Sequence, residues 1–220
     1  MLEKSAEQLY RQDVRAYIKR MMWSDLDGKV EDVFNEATKN ERCTSSFGTL
    51  YFSRSIDSHA DQSVPQSKFQ NSIHISTGTR FLGFNFYDVD TKKVTVATEK
   101  NAQLWYSQAP SGRVLVFIAP YTSAVGSVTE SEIIIGNYNH PASITKKEIN
   151  RHFSLFYKYC ACSSQNDSYS WSNYFYRQKL KLKDFRFRGE LKSKIMFVLE
   201  RITIVVFTIT AAVAAVMALK

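Results

Sequence analysis

The sequence predicts an α+β domain followed by one membrane-spanning helix. Three observations carry this: apolar residues at helical spacing from Ala6 to about Lys39, a middle stretch of short β-branched and aromatic runs, and the run Ile202 to Leu219 (ITIVVFTITAAVAAVMAL), eighteen residues without a charged side chain. On these grounds the chain divides into an N-terminal helical segment (1–44), a β-rich domain (45–176), a basic juxtamembrane strand or collar (177–194) and a transmembrane helix (195–219).

In the first segment Leu9, Val14, Tyr17, Ile18 and Met21, then Leu26, Val30, Val33 and Phe34, recur at the spacing that lines one helix face. Asp27-Gly28 predicts a break between two helices. Strands are expected at 49–53 (TLYFS), 72–76 (SIHIS), 82–87 (LGFNFY), 93–98 (KVTVAT), 103–107 (QLWYS), 113–119 (RVLVFIA) and 132–135 (EIII). Turn formers separate several of them, over 88–91, 109–112 and 136–140. Links this short pair strands antiparallel, here in a curved sheet or half barrel, and the absence of strand–helix–strand alternation argues against a parallel nucleotide-binding sheet.

Thr145 and Glu148 have the spacing of a capping box, and Ile149, Phe153, Phe156, Tyr157 and Cys160 give the helix that follows an apolar stripe to pack on the sheet. Residues 163–172 (SSQNDSYSWS) read as a polar loop. Residues 179–188 (KLKLKDFRFR) alternate charged and apolar side chains with a phase slip at Asp184, which predicts a half-buried strand with a bulge. The competing reading is a basic collar on lipid headgroups with Leu180, Leu182, Phe185 and Phe187 dipping in.

As a helix, the uncharged run covers about 27 Å of a hydrocarbon core roughly 30 Å thick, and Ile195 to Leu199 can complete the span. Of the net charge of +8, most falls in one block: Arg177, Lys179, Lys181, Lys183, Arg186, Arg188, Lys192 and Lys194, set against Asp184 and Glu190. Such an excess stays on the cytoplasmic side and is drawn to anionic headgroups, so the domain is expected to face the cytoplasm as a single-pass membrane protein. Met1 to Glu7 lacks the apolar core of a secretory signal, and the arrangement is that of a tail anchor. Cys43, Cys160 and Cys162 fit a reducing compartment. Within the span Thr208, Ala211, Ala212, Ala214, Ala215 and Ala218 form small-xxx-small pairs at 208/212, 211/215 and 214/218, which let two helices approach closely.

The chain carries no Walker loop, Gly-x-Gly-x-x-Gly, His-Glu-x-x-His or nucleophile elbow, and no catalytic residue is assigned. Cys160 and Cys162 with His152 offer zinc-compatible donors, but a fourth ligand at suitable spacing is missing, so no metal and no cofactor is expected. His59, His74, His140 and His152 are isolated in sequence. Away from the basic block the chain is nearly neutral, which argues against long nucleic acid; a small nucleotide needs only one or two cations, with Arg80, Arg113 and Arg151 as candidates. The implied function is a membrane-anchored module that binds a protein partner, a second copy of itself or a small ligand. The alternatives are a membrane-tethered enzyme with an unfamiliar site and a structural subunit of a larger complex. In architecture alone the chain is similar to small bacterial membrane-attached sensors and effectors, including those used against phage.

Overall fold

The computed structural model describes residues 2–39, 45–55, 71–88, 92–123, 125–126, 130–166, 169–187, 196–197, 200–201 and 203. It is an α+β protein built on open antiparallel sheets. The chain forms two compact units, residues 1–180 and 181–220. In the first unit α1 (Leu2–Met21) and α2 (Trp23–Thr38) precede β1 (Leu50–Arg54), β2 (Ser72–Thr77), β3 (Arg80–Asp88), β4 (Lys93–Lys100), β5 (Gln103–Gln108), β6 (Val114–Ala119), β7 (Thr122–Ser123) and β8 (Ile133–Tyr138). After a short 3-10 turn over Pro141–Ser143 come α3 (Lys146–Ser163) and α4 (Trp171–Lys181).

Five strands pair antiparallel in the order β1-β2-β5-β6-β8, and β3-β4-β7 form a separate three-stranded sheet. The expected single curved sheet or half barrel is therefore two open sheets. The split follows from β3, which among the described residues pairs only with β4, while β5 returns to β2 at the register His74↔Trp105. Along β2, β5 and β6 alternate residues are buried: Ile73 and Ile75, Leu104 and Tyr106, then Val114, Val116 and Ile118. These side chains share one core with Trp23, Leu26, Val30 and Val33 of α2 and with Ile149, Phe153, Phe156 and Tyr159 of α3. On the opposite face Trp105 stacks on its cross-strand neighbour Phe117, ring centroids 4.9 Å apart, with His74 on its other side.

The seven strands expected between 49 and 135 all form, within a few residues, and four other expectations change. The helix break falls at Met22, and Gly28 sits inside α2. A glycine costs a helix interior only about 1 kcal/mol, and burial of Leu26, Val30 and Val33 outweighs it. Arg54 of β1 also holds this turn, its Nε donating to Asp27 at 2.8 Å and its Nη2 to Glu31 at 2.7 Å. Gly136 extends β8 instead of turning, because the missing Cβ admits the Tyr138 ring and Val116. Thr145 caps α3 by accepting from the Glu148 amide, but the Glu148 side chain turns away to Tyr138 and Arg151 and the box stays half closed. Finally, 179–181 belong to α4 and 182–183 to a turn, so the expected strand there does not form: Arg177 and Leu180, three apart on one helix face, are buried.

Arg177 is only 5% exposed. Its Nε faces Glu130 at 3.3 Å, its Nη1 donates to the Cys162 carbonyl at 2.6 Å, and Tyr159 donates to the same Glu130 at 3.2 Å. Replacing Arg177 with Met takes the cation from Glu130 and the donor from the end of α3. The expected cost of Arg177→Met is about 3–5 kcal/mol in urea unfolding of the full chain. Adding Glu130→Gln to that variant should recover a large part, because the amide carries no charge.

Candidate binding surfaces and the polar core

Among the described residues, three groups of exposed apolar side chains lie on the helices and the hairpin of the first unit. Helix α1 has no buried residue, and Leu2, Leu9, Tyr10, Val14, Tyr17, Ile18 and Met21 are all exposed. Its C-terminal end is attached through Arg20 donating to the Pro110 carbonyl and Gln108 donating to that of Lys19. Gly112, in the β5–β6 turn, makes that attachment feasible: its φ is +78°, and a Cβ there would overlap the Lys19 side chain. The β3–β4 hairpin exposes Phe81, Phe84, Tyr87, Val94 and Val96. On α4, Trp171, Tyr174 and Phe175 pack against one another and face solvent.

The cations of the basic block do not act as one set. Lys179 on α4 is exposed and Lys181 partly so. Lys183 is exposed, and Arg186 forks onto both carboxylate oxygens of Asp184. Arg177 leaves the headgroup-facing set, since the buried ion pair with Glu130 consumes its charge. Arg188, Lys192 and Lys194 lie outside the described residues, as do Thr208, Ala211, Ala212, Ala214, Ala215 and Ala218. Among the described residues no helix is long and apolar enough to cross a membrane; of the run 202–219 only Thr203 is described.

The histidines and cysteines go different ways. His152 is fully buried on α3, its Nδ1 3.2 Å from the Tyr106 hydroxyl and its Nε2 2.9 Å from that of Tyr138. The direction of these hydrogen bonds is fixed at their outer end. Tyr138 donates to the Glu148 carboxylate at 2.9 Å, so its oxygen accepts from His152 Nε2–H, and the Nδ1 lone pair accepts from Tyr106. Burial, with the nearby Arg151 guanidinium, pushes the imidazole down to about 4. Burial likewise pushes the Cys160 thiol up. Cys162 is a buried free thiol and Cys43 is outside the described residues. Among the described residues no group of three or more His, Cys, Asp or Glu could hold a metal ion.

The three arginines considered for a nucleotide each have a local partner. Arg80 pairs with the fully buried Glu99 and donates to Ser164 at 2.8 Å, Arg113 donates to Asn139 at 3.2 Å, and Arg151 pairs with Glu148. A groove between α2 and α3, lined by Val33, Glu36, Ala37, Asn150, Phe153, Ser154 and Tyr157, holds one carboxylate, and Lys146 pairs with it at 2.7 Å. No known protein family, characterised protein or solved structure is detectably similar to this chain. Function is therefore read from these surfaces alone.

From the sequence, Trp171 reads as part of a polar loop and the α1 stripe as one apolar helix face. The signal for Trp171 is its spacing to Phe175 and Lys179, one helical turn apiece. The α1 stripe carries no comparable signal, because a helix face that meets a core and one that meets a partner have the same period.

The environment of His152 fixes a pH dependence. A histidine whose folded pKa lies below its unfolded value stabilises the fold above the unfolded pKa and loses that stability as pH falls towards the folded one. Unfolding free energy is expected to drop by on the order of 3 kcal/mol between pH 6.5 and about 4. His152→Gln should flatten the portion above pH 5, where carboxylates contribute little. His74, which half burial also depresses, supplies the control: His74→Gln should leave most of the slope in urea titrations at stepped pH.

Proposed function

We propose that this chain is a membrane-anchored binding module, held by the run Ile202 to Leu219 with its domain on the cytoplasmic side, that presents α1 to a protein partner, a second copy of itself included. The observation that carries this reading is α1: twenty residues of amphipathic helix with seven large apolar side chains exposed and none buried. An unpartnered face of that size is a liability in a monomer and a docking surface in an assembly.

Charge is balanced in the first half of α1, where Glu3 and Glu7 meet Lys4 and Arg11, and sums to +2 in the second, with Asp13 against Arg15, Lys19 and Arg20, so the apolar face alone supports self-pairing of this helix. The small-residue pairs 208/212, 211/215 and 214/218 support association within the bilayer as well. A module of this kind acts by recruitment or by clustering. The tethered-enzyme reading has less support: His152 and Tyr106 are packed in the core, with the tautomer fixed by hydrogen bonds.

The full chain is expected to resist carbonate extraction from membranes, and a chain truncated after Lys194 to be released. Recovery of the full chain in the soluble fraction without detergent removes the anchor. Leu9→Glu with Val14→Glu and Ile18→Glu should weaken self-association by tenfold or more, on the order of 1.4 kcal/mol or greater, with circular dichroism of the sheet unchanged because none of the three is buried. Ala211→Leu with Ala215→Leu tests the bilayer contribution separately: oligomers that persist in crosslinking assign assembly to the domain.

A further inference from the structure

Helix α4 carries a second apolar face, and its arrangement differs from that of α1. Arg177 and Leu180 point into the domain. Opposite them, at about 100° per residue, Trp171, Tyr174 and Phe175 cluster within about 100° of arc. Trp171 is 76% and Phe175 62% exposed, and the rings contact one another, with centroids 5.8 to 6.4 Å apart. Lys179 and Lys181 fall about 80° to either side of this cluster.

An outward ridge of Trp, Tyr and Phe between two lysines is the composition of a helix lying in a headgroup layer. Indole and phenol rings sit at the boundary between hydrocarbon and water, and flanking lysines extend their stems along the apolar surface while the ammonium groups reach phosphate. A protein groove could take the rings, but it would gain little from cations placed symmetrically on both flanks. Twenty residues, 182–201, separate α4 from the uncharged run. A tether of that length keeps the helix close to the bilayer, so that even weak interfacial affinity suffices to hold it there.

We propose that α4 is an interfacial docking helix, with Trp171, Tyr174 and Phe175 inserted in the headgroup layer of the membrane that anchors the chain and Lys179 and Lys181 on anionic phosphates. This rests on the anchored reading above. It adds an orientation: the domain is held by one defined face, with α4 parallel to the membrane plane.

The chain has three tryptophans, of which Trp23 is buried and Trp105 is stacked on Phe117, so the fluorescence difference between the unmodified protein and Trp171→Phe isolates Trp171. The full chain is reconstituted in phosphatidylcholine vesicles containing a minor fraction of phosphatidylserine. The expected results are a blue-shifted Trp171 emission, acrylamide quenching on the order of twofold weaker than for a free indole because the ring is shielded by lipid, and strong quenching by lipids brominated near the headgroup. Lys179→Glu with Lys181→Glu should abolish the dependence of these signals on phosphatidylserine; an unchanged dependence overturns the role of the lysines. If the protein sediments with vesicles while Trp171 stays open to acrylamide and untouched by brominated lipid, interfacial docking is wrong and the anchor stands. Shielding from acrylamide without quenching by brominated lipid assigns the aromatic face to a protein contact and overturns the proposal. Failure to sediment with vesicles removes the anchored reading itself.

Discussion

The orientation of α4 depends on one buried guanidinium. Arg177 meets Glu130 ahead of β8, the Cys162 carbonyl at the end of α3 and, through Glu130, the Tyr159 hydroxyl. A charge that deep tolerates few alternatives, since rotating the helix by one residue would leave both ions desolvated without each other. The carbonyl end of α3 adds the favourable end of the helix dipole. A short helix of eleven residues, which would be marginal alone, is thereby fixed in rotation, and the residues it turns outward are fixed with it.

Helix α3 is the element that the other polar contacts share. His152, midway along it, joins Tyr106 of β5 to Tyr138 of β8. Just past its last turn Ser164 accepts from Arg80 of β3, and the Gln165 amide donates to Glu99 of β4 at 3.2 Å. The three-stranded sheet is thus attached to the end of α3 by part-buried polar contacts as well as by the chain itself. Buried polar groups specify geometry more narrowly than apolar contacts do, since a shifted register leaves them unsatisfied. Apolar packing of α2 and α3 on the five-stranded sheet supplies the bulk of the core, and these contacts set its registration.

Local pattern made much of this legible in the sequence. The β-branched runs became strands almost where they were drawn, and Thr145 marks the start of α3 because an N-cap is a property of a few neighbouring residues. The failures share a cause of the opposite kind. Gly28 and Gly136 are turn formers by composition, yet tertiary contacts overrule them: Arg54 holds the first, and the Tyr138 ring fills the space beside the second. Residues 179–181 alternate like a strand, but the burial of Arg177 and Leu180 decides for a helix, and Arg177 finds Glu130 forty-seven positions away. The same distance effect hid the surfaces. Nothing in the stripe of α1 says whether a core lies beneath it, and the division into two sheets follows from which strand β5 chooses as its neighbour.

The detachment of α1 from the core also bears on the energetics of any association it enters. Its helical state is supported by intrinsic propensity and by surface pairs such as Glu7 with Arg11, each of these worth only a few tenths of a kcal/mol. A helix without burial opens at low free energy, whereas the sheet beneath α2 and α3 opens only with the whole domain. Ordering of α1 and occupation of its apolar face are therefore one linked equilibrium. Substitutions on its polar side that change helicity alone shift affinity as surely as changes in the contact residues, and mostly through the dissociation constant's conformational component. Selection on such an interface acts on helix propensity across all twenty residues and reaches well past the seven that would touch a partner.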